Sequence, residues 1–416
     1  MKRRGLAANS ALALTADLAG KASTVVVTAV AARALPTREF AILATCLAVA
    51  SLLTNLLDAG AQTLLTRDGA DGSRARGSLF RSLAVGRTPL AGLALAATVV
   101  VGVIVGRPLE SLATLALAVV LAAGLSLTGL LRSAQDLRPE ALSKLLTGVL
   151  STCLVVAVAL IAPSAGALLI VLAGTSAVGL WPLVRAARRA ASFGPGRRPG
   201  PALRAAVPLG LLSLATVAYY RSGVIALSLL GSSKETALYA VAANVAFGLL
   251  SVPNAVTTGL LPRLSGEPSP ARRLQIARRA LAWTILLSGG LVAATALIGP
   301  TLLTLVYGDD YAAAAGPLVI LTAGVFAIAI SGILGTVLVA GRSLRPLAVQ
   351  VALSLAVNLL CLALLVPRLG ATGAALATIA CELVGLCVLG IVARRSLPGL
   401  IRIGVPVVAR RPSFDT

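Results

Sequence analysis

Five charged side chains fall inside stretches that are otherwise apolar enough to lie in lipid: Asp17, Lys21, Asp58, Arg221 and Glu382. An ionised group at the centre of a membrane helix costs about 2.5–3.5 kcal/mol on insertion scales, so each must face a cavity or a partner. Asp17 and Lys21 stand four residues apart, which puts them on one helical face at ion-pair spacing. Arg221 occupies nearly the same depth in the second half of the chain. Two cations turned toward one cavity could countercharge a polyanion such as a pyrophosphate as it crosses a low-dielectric layer. The alternatives are local: Lys21 pairs only with Asp17, and Arg221 snorkels or binds backbone carbonyls. Tyr219 and Tyr220 adjoin Arg221 and offer either stacking faces for a ring-shaped ligand or ordinary packing. Asp58 and Glu382, with Asp17, are candidates for coupling to a proton or cation, although Asp58 lies near a span end where a basic loop could pair with it. The chain has no His, and its five Cys all fall in apolar runs, so neither a metal centre nor a cofactor is expected.

The elements that must position these groups follow from composition. Of 416 residues, 58% are hydrophobic and only 12% charged, which no water-facing surface of this size allows. In hydrocarbon the backbone must satisfy its own hydrogen bonds, and the apolar runs are helix-length without strand alternation. An all-α polytopic membrane protein with about twelve spanning helices is predicted, six in each half. The runs include Leu6 to Ala32, Phe40 to Leu65, Val207 to Leu230, Ala237 to Leu261, Leu347 to Leu365 and Gly370 to Val392. Pro253 and Pro317 are expected to bend or break the spans holding them.

A net charge of +22 in a soluble chain would suggest nucleic acid; here the positions of the charges argue against it. Lys and Arg crowd into alternate connections, those on the side of the N-terminus, while the opposite side holds only Arg33, Arg38, Arg107, Lys234 and Arg368. That asymmetry predicts that both termini are cytoplasmic and that the basic connections lie against anionic lipid. The longest connection, Arg185 to Arg204, contains Gly-Pro-Gly-Arg-Arg-Pro-Gly-Pro and reads as a hinge. The division is then a six-helix lobe over 1–190, a basic linker over 191–206, a second six-helix lobe over 207–393 and a basic tail over 394–416. The halves also echo each other. Glu39-Phe-Ala-Ile-Leu-Ala matches Glu235-Thr-Ala-Leu-Tyr-Ala, and Leu64-Leu-Thr-Arg67 matches Leu260-Leu-Pro-Arg263, both at an offset of 196 (235 − 39 and 263 − 67). Such a parallel repeat places a path between the lobes.

Several motifs resemble those of Wzx-type polysaccharide flippases. They are Ala32-Arg-Ala-Leu-Pro-Thr-Arg-Glu-Phe40, Leu57-Asp-Ala-Gly-Ala-Gln-Thr-Leu-Leu-Thr-Arg67, Pro208-Leu-Gly, Tyr219-Tyr-Arg, the run from Glu235 to Asn244, and Leu261-Pro-Arg-Leu-Ser265. The resemblance implies a two-lobed, V-shaped transporter working by alternating access in the bacterial plasma membrane. It implies a lipid-linked oligosaccharide on polyprenyl pyrophosphate as substrate, whose pyrophosphate is the polyanion that Lys21 and Arg221 could countercharge. Membrane lipids would be partners, as would a glycan polymerase or glycosyltransferases of the same pathway. The same superfamily contains cation-coupled multidrug extruders and lipid II flippases, which stay open as alternatives. Lipid II flippases carry two further helices after the twelfth, for which the tail leaves little room. Flippases of this kind also often carry an acidic residue early in span seven, where this chain has Arg221 farther along. An enzyme is not expected: the polar turn Tyr307-Gly-Asp-Asp-Tyr311 offers Asp309 and Asp310 without a base or nucleophile to complete a site.

Overall fold

The computed structural model describes residues 6–69, 72–192, 199–267, 269–340 and 345–396. Helices are the only extended elements among them. In order they are α1 (Leu6–Ala34), α2 (Thr37–Asp58), α3 (Ala61–Asp68), α4 (Ser73–Gly86), α5 (Thr88–Val105), α6 (Pro108–Ser133), α7 (Arg138–Ile161) and α8 (Ala165–Ala190). Then come α9 (Pro199–Leu230), α10 (Ser233–Leu249), α11 (Ser251–Gly266), α12 (Pro270–Tyr307), α13 (Ala315–Ala340) and α14 (Arg345–Ser396). Ten stretches among the described residues are long and apolar enough to cross a membrane. The last of them runs through α14, which Gly370 (φ 54°, ψ −131°) divides into two spans, and α1 packs along α7 as a further span. Among the described residues this makes an all-α, multi-pass membrane protein with twelve helices of membrane-spanning length. Residues 193–198 of the linker and all of the tail beyond 396 lie outside the described residues, whereas 199–206, expected in the linker, form the first two turns of α9.

Small residues let these helices approach closely, since lipid provides no hydrophobic drive for helices to associate. Ala dominates the buried positions, including Ala31, Ala48, Ala118, Ala242 and Ala374. In the first lobe α1 packs on α7, and α6 runs between α2 and α8; in the second, α14 packs on α9 and α13. The connections α2–α3, α4–α5 and α6–α7 and the start of α12 belong to one end of the bundle, which carries Arg67, Arg87, Arg132 and Arg273 and is called the basic end below. There Arg67 grips Asp68 through two hydrogen bonds (2.6 and 3.0 Å) and holds its carboxyl below the ordinary carboxylate range, as suits an aqueous boundary.

Two expected spans are interrupted. The run from Phe40 to Leu65 breaks at Ala59 (φ 46°) and Gly60 (φ 82°), and that from Ala237 to Leu261 breaks at Leu250. Asp58 drives the first break: its carboxylate accepts the Gln62 N–H (3.1 Å) and so caps α3, while Arg87 donates to the Leu57 and Asp58 carbonyls (3.3 and 3.2 Å) that end α2. In the second, Pro253 has no N–H to offer the Leu249 carbonyl. Pro317 breaks nothing, because it sits in the first turn of α13, where a missing N–H costs nothing.

The repeated Glu has a physical role. Glu39 Oε2 accepts the Ala165 N–H at the start of α8 (3.3 Å), and Glu235 Oε2 accepts the Ala371 N–H just past the Gly370 turn (2.6 Å). In each half the same acid caps the sixth span. A side chain at Gly370 would collide with Glu235 Oε2, so the turn and the cap require each other. Replacing Glu235 by Ala should cost about 1–2 kcal/mol. The loss should be read as a lower melting temperature in detergent, with Gln restoring part of it; unchanged melting would show that the cap contributes nothing.

Candidate functional site

A cavity of about 320 Å³ opens between α9, α13 and α14. Its walls are mostly apolar, with Ile328, Leu347, Val351 and Leu389, and its polar groups include Tyr219, Tyr220, Gln350, Ser354 and Glu382. Glu382 is 4% exposed and accepts a short hydrogen bond from the Tyr219 hydroxyl. Tyr219 packs against Tyr220 with the rings tilted by 58° (centroids 4.8 Å), and Tyr220 meets Phe247 of α10 edge-on at 5.3 Å. Beneath them Ser222 donates to Asn358 Oδ1 (2.5 Å), and Asn358 Nδ2 reaches the Cys381 sulfur (3.5 Å). The Ser331 hydroxyl, also on the cavity wall, has no hydrogen-bond partner among the described residues. One carboxylate, two phenols and several small donors in an apolar chamber can hold and release a single cation or proton.

The expected grouping changes here. Arg221 is not on the wall that carries Tyr219 and Tyr220: two residues along a helix amount to about 200°, so it points away from that chamber. It is exposed, and among the described residues no acidic side chain lies within ion-pair distance of it. Lys21 is half-buried on α1. Its neighbour Ser23 bonds to Gly148 O (2.8 Å) and Thr152 (3.0 Å) on α7, so Lys21 faces away from α7. The side chain of Asp17 lies outside the described residues. Asp58 is surrounded by the Gln62 N–H, the Ser126 hydroxyl (3.1 Å) and Arg87 (3.6 Å), contacts that brace the α2–α3 break. Glu382, Tyr219 and Tyr220 come together; Asp58 stands apart at the basic end of the first lobe.

The lobes touch at both ends. At the basic end Gly60 and Gly210 bring the α2–α3 turn against α9, where a methyl on Gly60 would collide with the Ala206 carbonyl oxygen. At the opposite end Arg33 donates to the Val306 carbonyl (2.9 Å) and to the Leu305 carbonyl at the C-terminus of α12, and Phe40 meets Tyr311 edge-on at 5.7 Å. Between these contacts the seam is mostly apolar and carries two hydrogen bonds: Asn244 donates to Thr28 (2.6 Å), and Ser213 donates to Asn55 (2.8 Å). A search for charges passes over both amides, although an Asn inside an apolar run is itself a signal for a helix-to-helix hydrogen bond.

This scaffold is a two-lobed, V-shaped transporter fold. It superposes on the lipid II flippase MurJ in its inward closed conformation with a TM-score of 0.76 at 12% identity, covering 92% of this chain and 87% of that one. An inward-facing multidrug resistance MATE family transporter of the MOP superfamily follows at 0.67 and 13%, covering 92% and 96%. A Vibrio cholerae MATE transporter, VcmN, gives 0.64 and 18%, covering 94% and 98%. No curated protein sequence matches. The sequence itself decides the family, since residues 6–266 match that of the polysaccharide biosynthesis proteins. The chain belongs to that family. The solved structures that share its fold are transporters and flippases.

Proposed function

We propose that the protein is a flippase that carries a lipid-linked oligosaccharide, a polyprenyl pyrophosphate sugar, across the bacterial plasma membrane by alternating access. It performs no covalent chemistry of its own. The observation that carries the reading is the polysaccharide biosynthesis match over residues 6–266 on a two-lobed transporter fold. The charge pattern supports the orientation, with the basic end and both termini in the cytoplasm. Lys21 and Arg221, on the first helix of each lobe, supply the countercharge that a pyrophosphate needs in the membrane. Enzymes that build or polymerise the glycan are its pathway partners.

Deleting the gene and analysing lipid-linked sugars tests the reading: the substrate should accumulate on the cytoplasmic side. Normal lipid-linked sugars together with new sensitivity to cationic drugs would favour the second reading, a cation-coupled extruder. The chamber around Glu382, apolar and aromatic with a single carboxylate, is the feature that suits such a cargo. Arg221→Ala should lower export at least tenfold while Arg221→Lys keeps part of it, because charge rather than fork geometry serves a mobile phosphate. Wild-type export by the Ala variant removes Arg221 from the path.

A further inference from the structure

The seam between the lobes holds two amides that serve no helix-capping or intralobe role sufficient to explain them. Asn244 of α10 donates to the Thr28 hydroxyl of α1, and Thr28 in turn donates to the Thr24 carbonyl (2.7 Å). Asn55 of α2 accepts from Ser213 of α9 while its own amide donates to the Ser51 carbonyl (2.9 Å). Both bonds run from one lobe to the other, and all four residues are half-buried. The Asn244 side-chain oxygen Oδ1 accepts no hydrogen bond among the described residues.

Alternating access must break both bonds, since each joins surfaces that separate. A freed amide facing lipid costs free energy, but one facing an occupied cavity can be satisfied by the cargo. The two pairs lie at different depths: Asn244 is eleven residues into α10, about 16 Å from its start, and Asn55 is eighteen residues into α2, about 27 Å from its start. Both starts are at the end away from the basic one. Tyr220, packed on Phe247, belongs to the same α9–α10 wall. On α1 the stripe Lys21, Thr24, Thr28 follows the three–four spacing of one helix face, so the cation and the hydroxyl point the same way.

We infer that Asn244 and Asn55, with Thr28 and Ser213, are the residues that read the sugar portion of the cargo. They exchange their cross-lobe bonds for bonds to sugar hydroxyls when the lobes part. Amides suit this task because each offers a donor and an acceptor at fixed separation, which matches neighbouring hydroxyls or an acetamido group and gives nothing to an isoprenoid chain. Discrimination follows from the unpaired amide that a sugarless lipid leaves behind. The inference rests on the flippase reading and assigns its specificity.

The test uses the full-length protein in nanodiscs with two probes, undecaprenyl pyrophosphate and the same lipid bearing one N-acetylglucosamine. Wild type should bind the sugar-bearing probe more tightly. Asn244→Leu should weaken that probe about tenfold and leave the bare lipid unchanged. Thr28→Val, which keeps shape and removes only the hydroxyl, should shift the same ratio in the same direction and covers the case in which Asn244→Leu fails to fold. Lys21→Gln should weaken both probes. Equal weakening of both probes by Asn244→Leu and Thr28→Val, no weakening of either, or equal wild-type affinity for the two overturns the inference alone. Failure of wild type to bind either probe overturns the flippase reading and the inference with it.

Discussion

Gly210→Leu should abolish transport and leave the protein open at its basic end. A side chain at Gly210 would begin 2.5 Å from the Ala59 carbonyl carbon and 2.7 Å from the Gly60 nitrogen. Those atoms are backbone, in a turn held by two positive φ angles and by the Asp58 cap, so they cannot swing aside as a flexible side chain would. The clash exists only where α9 meets the α2–α3 turn, so either lobe alone should accommodate the larger residue. Overpacking in a rigid contact typically costs about 1–3 kcal/mol, enough to shift a two-state equilibrium ten- to a hundredfold. The expected readout has two parts: export falls to background, and a Ser213→Cys probe becomes reactive toward membrane-impermeant thiol reagents added from the basic side. Wild-type export with no gain in thiol labelling of the Ser213→Cys probe would show that the closed contact accommodates the larger residue. Gly60→Ala should behave likewise, with the added strain of a non-glycine residue at φ 82°.

Much of the scaffold was legible because lipid leaves few options. Apolar runs near twenty residues, basic connections on alternate sides and a repeat at a 196-residue offset were sufficient to place twelve helices. Breaks inside the runs were not legible, because they depend on tertiary contacts: Asp58 reads as a coupling candidate by its depth, and only Gln62, Ser126 and Arg87 closing around it reveal a helix cap. The same holds for the site. Tyr219, Tyr220 and Arg221 are adjacent in sequence, which suggests one cluster, yet helical rotation sends the arginine away from the chamber that the tyrosines share with Glu382. Glu382 stood out as an acid in an apolar run, whereas its partner, 163 positions earlier in the chain, could come only from the packing of α14 on α9.

Glu382→Gln should uncouple transport from the ion gradient. Glutamine keeps the shape of the side chain and can still accept the Tyr219 hydrogen bond, so the packing of α9 on α14 survives and melting should change little. What it loses is the ability to change charge. In a chamber walled by Ile328, Leu347, Val351 and Leu389, an ionised carboxylate is expensive unless a proton or cation accompanies it. Loading and emptying Glu382 is therefore a difference in free energy that packing between α9, α13 and α14 can feel, and this is what coupling requires. In proteoliposomes under an imposed pH or sodium gradient, gradient-driven flipping should drop at least tenfold, whereas equilibrium exchange and cargo binding should stay near wild type. Tyr219→Phe should give an intermediate loss, because it removes one hydrogen bond and leaves the titrating group in place. Asp58→Asn should separate cleanly from both, lowering the melting temperature by weakening the α3 cap while retaining gradient dependence in whatever protein stays folded. A Glu382→Gln protein with the wild-type response to the gradient would move coupling out of this chamber, and a matching loss of exchange and gradient-driven flipping would make Glu382 part of the cargo path.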